Sequence, residues 1–86
     1  MQTKSPQLAS SLEQHFGRQL RNLREAKGWS QEELADQCNI HRTYVSQLER
    51  GLKSPTLRLF WTLCHSLEIV PSHYLSQVEK AMENTN

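Results

Sequence analysis

Apolar residues recur at intervals of three and four along most of this chain, with polar residues between them. Leu12, Phe16, Leu20 and Leu23 follow one another at four, four and three, which places them on one helical face. The pattern predicts a first helix from about Ser11 to Lys27, with Gly28 as its C-terminal cap. Ser30-Gln31-Glu32-Glu33 reads as a capping box, in which Ser30 takes up free backbone amides and Glu33 reaches back. It opens a second helix with Leu34, Ala35 and Cys38 inward, ended by Asn39, which tolerates left-handed backbone. A third helix is predicted from His41 or Arg42 to Arg50, with Val45 and Leu48 inward and Gly51 as its stop. Leu52 to Pro55 form a loop, and Thr56 caps a fourth helix ending near Leu67. Its inward positions are Leu57, Phe60, Leu63, Cys64 and Leu67. Pro71 and Ser72 open a fifth helix through about Met82. Gly17, like the other glycines, is taken as punctuation. No stretch alternates with a period of two, as strands require. The expected fold class is all-α: a compact five-helix domain over 11–82, between a flexible segment at 1–10 and a frayed end at 83–86.

Composition narrows the function. With 86 residues and 36% apolar content, the chain is one small domain without room for a large enzyme's deep cleft. It has no apolar run of the roughly 18 residues that a membrane span needs, and no apolar stretch near Met1 that reads as a secretory signal. Two cysteines, Cys38 and Cys64, are too few for a disulfide scaffold. The chain therefore reads as cytoplasmic, with reduced thiols. Net charge is only +1, but its distribution is uneven. Arg18, Arg21, Arg24 and Lys27 surround the lone acid Glu25; Arg42, Arg50, Lys53 and Arg58 surround the lone acid Glu49. The other acids gather at Glu32, Glu33 and Asp36, and after Glu68. Local basic surface on a nearly neutral protein suits the docking of one face on a polyanion.

The segment from Gln31 to Arg50 meets the demands of a helix-turn-helix: two short helices, a tight turn, and a second helix polar on its outer face. Leu34, Cys38, Ile40, Val45 and Leu48 supply the contacts between the helices, Ala35 is small where they approach, and Asn39 suits a turn of positive φ.

From about Phe16 to Leu75 the sequence resembles the Cro-type, lambda-repressor-like domains of the XRE family. The resemblance is carried by Leu20-Arg21-Asn22-Leu23-Arg24-Glu25, by Ser30-Gln31-Glu32-Glu33-Leu34-Ala35, by the run from Ile40 to Gly51, and by Ser54-Pro55-Thr56-Leu57. The small size and the Arg42-Thr43-Tyr44 start of the third helix are also similar to restriction–modification controller proteins. Asn39 and Glu68 depart from the family's usual glycines, and Trp29 from its usual small aliphatic. The resemblance implies a lambda-repressor-like fold and a transcriptional regulator that binds double-stranded operator DNA, with repressor or activator left open. It also implies association with the nucleoid in the cytoplasm.

Groove geometry then assigns roles. A recognition helix lies in the major groove with its first residues against base edges. Arg42, Thr43, Ser46 and Gln47 are the candidate base contacts: arginine pairs with guanine, glutamine with adenine, and threonine offers a methyl to thymine. The resemblance implies the same positions. It also implies that Gln31, at a helix N-terminus that favours anions, bonds a phosphate. His41, Tyr44, Arg50 and Lys53 are further phosphate candidates, with capping the alternative for His41 and ring packing the alternative for Tyr44. The family often pairs the residues at Arg24 and Glu49, which implies an ion pair that orients the third helix.

Cys38 near His41, and Cys64 beside His65, do not make the four convergent ligands of a structural zinc site, so no metal or other cofactor is expected. Both cysteines read as small buried hydrophobes. No nucleophile–base–orienter set is present, which argues against an enzyme. Trp61, Tyr74, Leu75, Val78 and Met82 exceed what a terminal helix needs and are candidates for a homodimer interface, with closure of the monomer core as the alternative. A twofold dimer would present two recognition helices to a near-palindromic site. The rival reading is a protein-interaction module, such as an antitoxin, whose main role is to bind a partner protein.

Overall fold

A computed structural model describes the backbone of residues 5–84 and the side chains of residues 12–84. Among the described residues the chain forms five helices: α1 (Ser5–Ala26), α2 (Gln31–Cys38), α3 (Arg42–Glu49), α4 (Leu57–Leu67) and α5 (Pro71–Glu83). α1 starts six residues before the start expected from apolar spacing, with Pro6 in the first turn, where a missing amide costs nothing. The expected flexible segment at 1–10 is thus helical from Ser5 onward, and residues 1–4 and 85–86 of the expected loose ends lie outside the described residues.

Local chemistry fixes the helix ends. Ser30 Oγ accepts from the Glu33 amide at 3.0 Å, and Glu33 Oε1 accepts from the Ser30 amide at 2.7 Å, closing the capping box on α2. Asn39 turns the chain into the left-handed region at φ 56°, and the Ile40 amide donates back to the Ala35 carbonyl. Thr56 Oγ1 caps α4 by accepting from the Leu59 amide. Glu68 holds the same left-handed conformation after α4, at φ 58°. Lys27 Nζ donates to its carboxylate at 2.5 Å, which holds the Glu68 carboxyl below its ordinary pKa and joins the ends of α1 and α4.

The core is built from Phe16, Leu20, Leu34, Val45, Leu48, Phe60, Leu63, Leu67, Tyr74 and Val78, with Ala35, Cys38 and Cys64 in the gaps. At its centre the rings of Phe16, Phe60 and Tyr74 lie 4.8 to 5.7 Å apart, tilted or edge-on to one another. The Tyr74 hydroxyl donates to the Phe16 carbonyl at 2.7 Å, so α5 is tied to α1 by a buried hydrogen bond. Burial pushes the Tyr74 phenol well above its ordinary pKa.

This core corrects three expectations. Tyr74 and Val78, expected at a dimer interface, are buried inside the monomer, and Met82 packs partly against the same cluster. Leu57 was expected inward, but it is the first residue of α4, where the helix has not yet reached the core, and it is 73% exposed. Leu12, also expected inward, is exposed beside it at the rim of a groove.

Gly17 lies inside α1, within the expected span of the first helix, but in a role that the sequence did not assign to it. A Cβ built there would sit 2.2 Å from the Leu48 carbonyl oxygen and 2.6 Å from that of Glu49. Those are carbonyls of the last turn of α3, so the end of α3 rests directly on α1 backbone. Gly51, at φ 75°, continues the contact: a Cβ there would lie 3.0 Å from the Gln14 Cα. Gly17→Ala would raise intrinsic helix propensity by about 1 kcal/mol, but it drives a methyl into backbone, and overpacking typically costs about 1–3 kcal/mol or more. We expect a lower melting temperature in a thermal denaturation of Gly17→Ala. An increase would show that the two helices do not meet so closely.

Candidate nucleic-acid interface

The turn between α2 and α3 is only Asn39, Ile40 and His41. Its brevity fixes the crossing of the two helices, and Val45 and Leu48 bury one face of α3 against the core. At about 100° per residue, Thr43, Ser46, Gln47 and Arg50 centre on the opposite face. Arg42 lies a quarter turn away, on the flank next to α2. Arg42, Thr43 and Arg50 are exposed, and Ser46 and Gln47 are half-buried on the same surface.

His41 caps α3: its Nδ1 accepts from the Thr43 amide at 3.0 Å. The acceptor role requires a neutral ring with its proton on Nε2. Tyr44 is half-buried and packs against the edge of the core. Lys53 is exposed in the loop after α3, and the neighbouring Ser54 hydroxyl donates to the Glu13 carboxylate of α1.

Behind this surface Arg24 and Glu49 meet in a two-pronged ion pair. Arg24 Nε donates to Glu49 Oε2 at 2.6 Å and Nη2 donates to Oε1 at 3.0 Å. The side chains retain only 10% and 4% exposure. Arg24 Nη1 donates to the Trp29 carbonyl at 2.8 Å, so all three guanidinium nitrogens are hydrogen-bonded. The hydrogen bond to Glu49 outweighs burial and raises the Arg24 pKa. Lys27 sits 5.3 Å from the centre of the Trp29 ring, which keeps that turn against the end of α1. Gln31, expected at a phosphate, donates one N–H of its amide to Glu49 Oε1 at 3.0 Å, while its carbonyl oxygen lies 3.5 Å from Arg42 Nη1. The structure therefore brings Arg24, Glu49, Gln31 and Arg42 into one chain of contacts, and leaves Thr43, Ser46, Gln47, Arg50 and Lys53 facing outward. Sequence reasoning missed Gly17, whose contact with α3 bridges 31 positions.

The helix-turn-helix family profile matches residues 20–75. The chain belongs to the helix-turn-helix family, of the XRE type. This is a family of transcriptional regulators rather than of enzymes. The chain is 38% identical over 61 residues to control protein C.BamHI of Bacillus amyloliquefaciens, a match that spans 70% of this chain and 75% of the relative. It is 41% identical to the restriction–modification controller protein C.AhdI of Aeromonas hydrophila, whose structure superposes with a TM-score of 0.68 over 71% of this chain and 92% of that one. The controller protein C.Esp1396I, solved as a tetramer with its natural 35-base-pair operator, is 27% identical, with a TM-score of 0.74 over 83% of this chain and 93% of that one.

Among the described residues no group of three or more His, Cys, Asp or Glu is placed to hold a metal ion, and no helix is long and apolar enough to cross a membrane. Cys38 and Cys64 are both buried; burial raises the Cys38 thiol and pushes Cys64 up to about 11 from 9.0.

Two outcomes follow. Glu49→Ala leaves Arg24 without its carboxylate in a largely buried setting, a change that typically costs about 3–5 kcal/mol. At ~4–8 °C per kcal/mol for a domain of this size, the melting temperature should fall by well over 10 °C; an unchanged melt would contradict the structural role of the pair. The raised Cys64 pKa stabilises the fold fully below the unfolded thiol's value. That contribution is lost as pH rises from about 9 towards 11. The melting temperature should therefore decline over that interval, and Cys64→Ala should show a shallower decline, measured against its own value at neutral pH.

Proposed function

We propose that this protein is a sequence-specific transcriptional regulator that lays α3 in the major groove of operator DNA. The observation that carries this reading is the outward row of Thr43, Ser46, Gln47 and Arg50 on a helix whose inner side is anchored by Gly17 and the Arg24–Glu49 pair. Rigid positioning matters because base readout depends on donors and acceptors held in register with base edges. Arg42, Thr43, Ser46 and Gln47 read bases. Gln31, His41, Tyr44, Arg50 and Lys53 contact phosphates, with the proton on His41 Nε2 available as a donor while Nδ1 caps the helix. The role is binding rather than catalysis, exercised in the cytoplasm on the nucleoid, and without a cofactor.

The protein acts as a homodimer on this reading. The surface that serves it is not the inner face of α5 but the groove rimmed by Leu12, Leu57, Trp61 and Leu75, all exposed. Leu57 and Trp61 stand one turn apart on α4 and form an apolar ridge between this groove and a second hollow lined by Arg58, Thr62 and His65. A ridge flanked by hollows can pack against its own copy about a twofold axis. That symmetry would set two α3 helices about 34–36 Å apart, one turn of DNA.

Selection from a randomised duplex library, with sedimentation of the protein alone, tests both halves. We expect an enriched near-palindrome and a dimer. Gln47→Ala should lose preference at defined base pairs, by about 1–3 kcal/mol at each, whereas Lys53→Ala should weaken all sequences alike. Trp61→Ser should yield monomers with a stable fold. Absence of any enriched sequence at moderate salt would contradict DNA reading. A monomer that captures a partner protein through the groove would favour the interaction-module alternative.

A further inference from the structure

The loop between α3 and α4 is pinned at both ends. The Leu52 amide donates to the Gln47 carbonyl at 2.9 Å, and the chain enters α4 through the Thr56 cap. Between these points lie Lys53 and Ser54, both exposed. Pro55 disfavours helical backbone at Ser54, so the loop is extended where Lys53 leaves it. A side chain 41 positions away holds this stretch: the Ser54 hydroxyl donates to the Glu13 carboxylate. Glu13 is half-buried on α1, one turn before Gly17, where the end of α3 rests. Glu13 and Lys53 also share the mouth of the apolar groove. An acid so near a lysine that meets phosphate weakens DNA binding by repulsion unless it serves another purpose. Holding the loop is such a purpose, because a hydroxyl bonds a carboxylate more strongly than it bonds a neutral acceptor.

We infer that Glu13 is a positioning residue for the phosphate-contacting loop: through Ser54 it fixes the point from which Lys53 reaches the DNA backbone. The inference rests on the DNA-reading function proposed above. Charge and positioning pull in opposite directions here. Loss of the acid relieves repulsion of every phosphate, whereas loss of the acceptor frees the loop, which must then be ordered again on binding. Glu13→Gln and Glu13→Ala separate the two effects. Both remove the charge and both residues favour helix, but only glutamine keeps an oxygen that accepts from the Ser54 hydroxyl.

The test titrates both variants, each also on a Lys53→Ala background, against the enriched duplex and single-base-pair variants of it. Ser54→Ala is measured alone, with Glu13→Ala and with Lys53→Ala. Thermal melts and sedimentation of each protein come first. Glu13→Ala should bind about threefold more weakly than Glu13→Gln, a loss within the range for ordering one flexible side chain. The factor should be the same on every duplex, because a phosphate contact carries no sequence information. It should vanish on the Lys53→Ala background, and adding Ser54→Ala to Glu13→Ala should cost nothing further. Equal affinities of Glu13→Gln and Glu13→Ala, a difference that survives Lys53→Ala, or one matched by a difference in self-association would overturn the inference while leaving DNA reading intact. A further loss on adding Ser54→Ala would also overturn it, by showing that the Ser54 hydroxyl meets phosphate itself. A wild-type protein that enriches no duplex would overturn DNA reading, and the inference with it. Should Glu13→Ala melt too low to be titrated, Ser54→Ala leaves α1 untouched: it should show the threefold loss against wild type and none on the Lys53→Ala background.

Discussion

The close seat of α3 on α1 governs the rest of the structure. A helix of eight residues is too short to hold its shape in water, so its order must come from what it packs on. Here the support is backbone against backbone: the Leu48 and Glu49 carbonyls approach α1 at the one position where no side chain intervenes, Gly17. Placing glycine inside a helix costs propensity, and the return is an approach that no other residue permits. The Arg24–Glu49 pair locks the same junction one and a half to two turns further along α1, where the guanidinium also holds the Trp29 carbonyl. Glycine sets the depth of the contact and the ion pair sets its direction.

That junction divides the labour of the surface. Its inner side is fully engaged, with Val45 and Leu48 in the core and Glu49 bonded to α1 and α2. Its outer side carries polar residues with no structural duty, apart from Arg42 at the flank. Buried ion pairs are often no more stabilising than apolar residues of like volume, and their use lies in fixing one arrangement. This one fits that description, because the arrangement it fixes is the orientation of the helix that would meet DNA. The apolar rim of the groove, Leu12, Leu57, Trp61 and Leu75, lies on α1, α4 and α5, away from α3, while Lys53 lines the groove as well; the proposed self-association and DNA reading would therefore meet at that loop.

Much of this was legible along the chain because it is local. The capping box of Ser30 and Glu33, the left-handed turn at Asn39, the Thr56 cap and Pro71 at the head of α5 each depend on neighbours within four residues. What escaped depends on distant partners. Gly17 falls inside the expected first helix, where nothing local gives a glycine a use, and only the arrival of α3 reveals one. Tyr74 and Val78 read as surplus apolar surface because nothing local says that Phe16, 58 positions earlier, waits for the tyrosine hydroxyl. Leu57 sits on the apolar period of α4 but precedes the point where the helix meets the core. The Arg24–Glu49 contact came from family resemblance rather than from spacing, whereas the turn of Gln31 towards Glu49 became visible only in the fold.

The central claim is that α3 meets DNA through its outer face in the position it already holds. The most direct measurement is a titration of isotope-labelled protein with the selected duplex, followed by amide and side-chain NMR. The account predicts large shifts at Thr43, Ser46, Gln47 and Arg50, with Gly17, Val45 and Leu48 nearly still. Shifts centred on Leu57, Trp61 and Leu75 with α3 unmoved, or a displacement of α3 from Gly17 on binding, would contradict it.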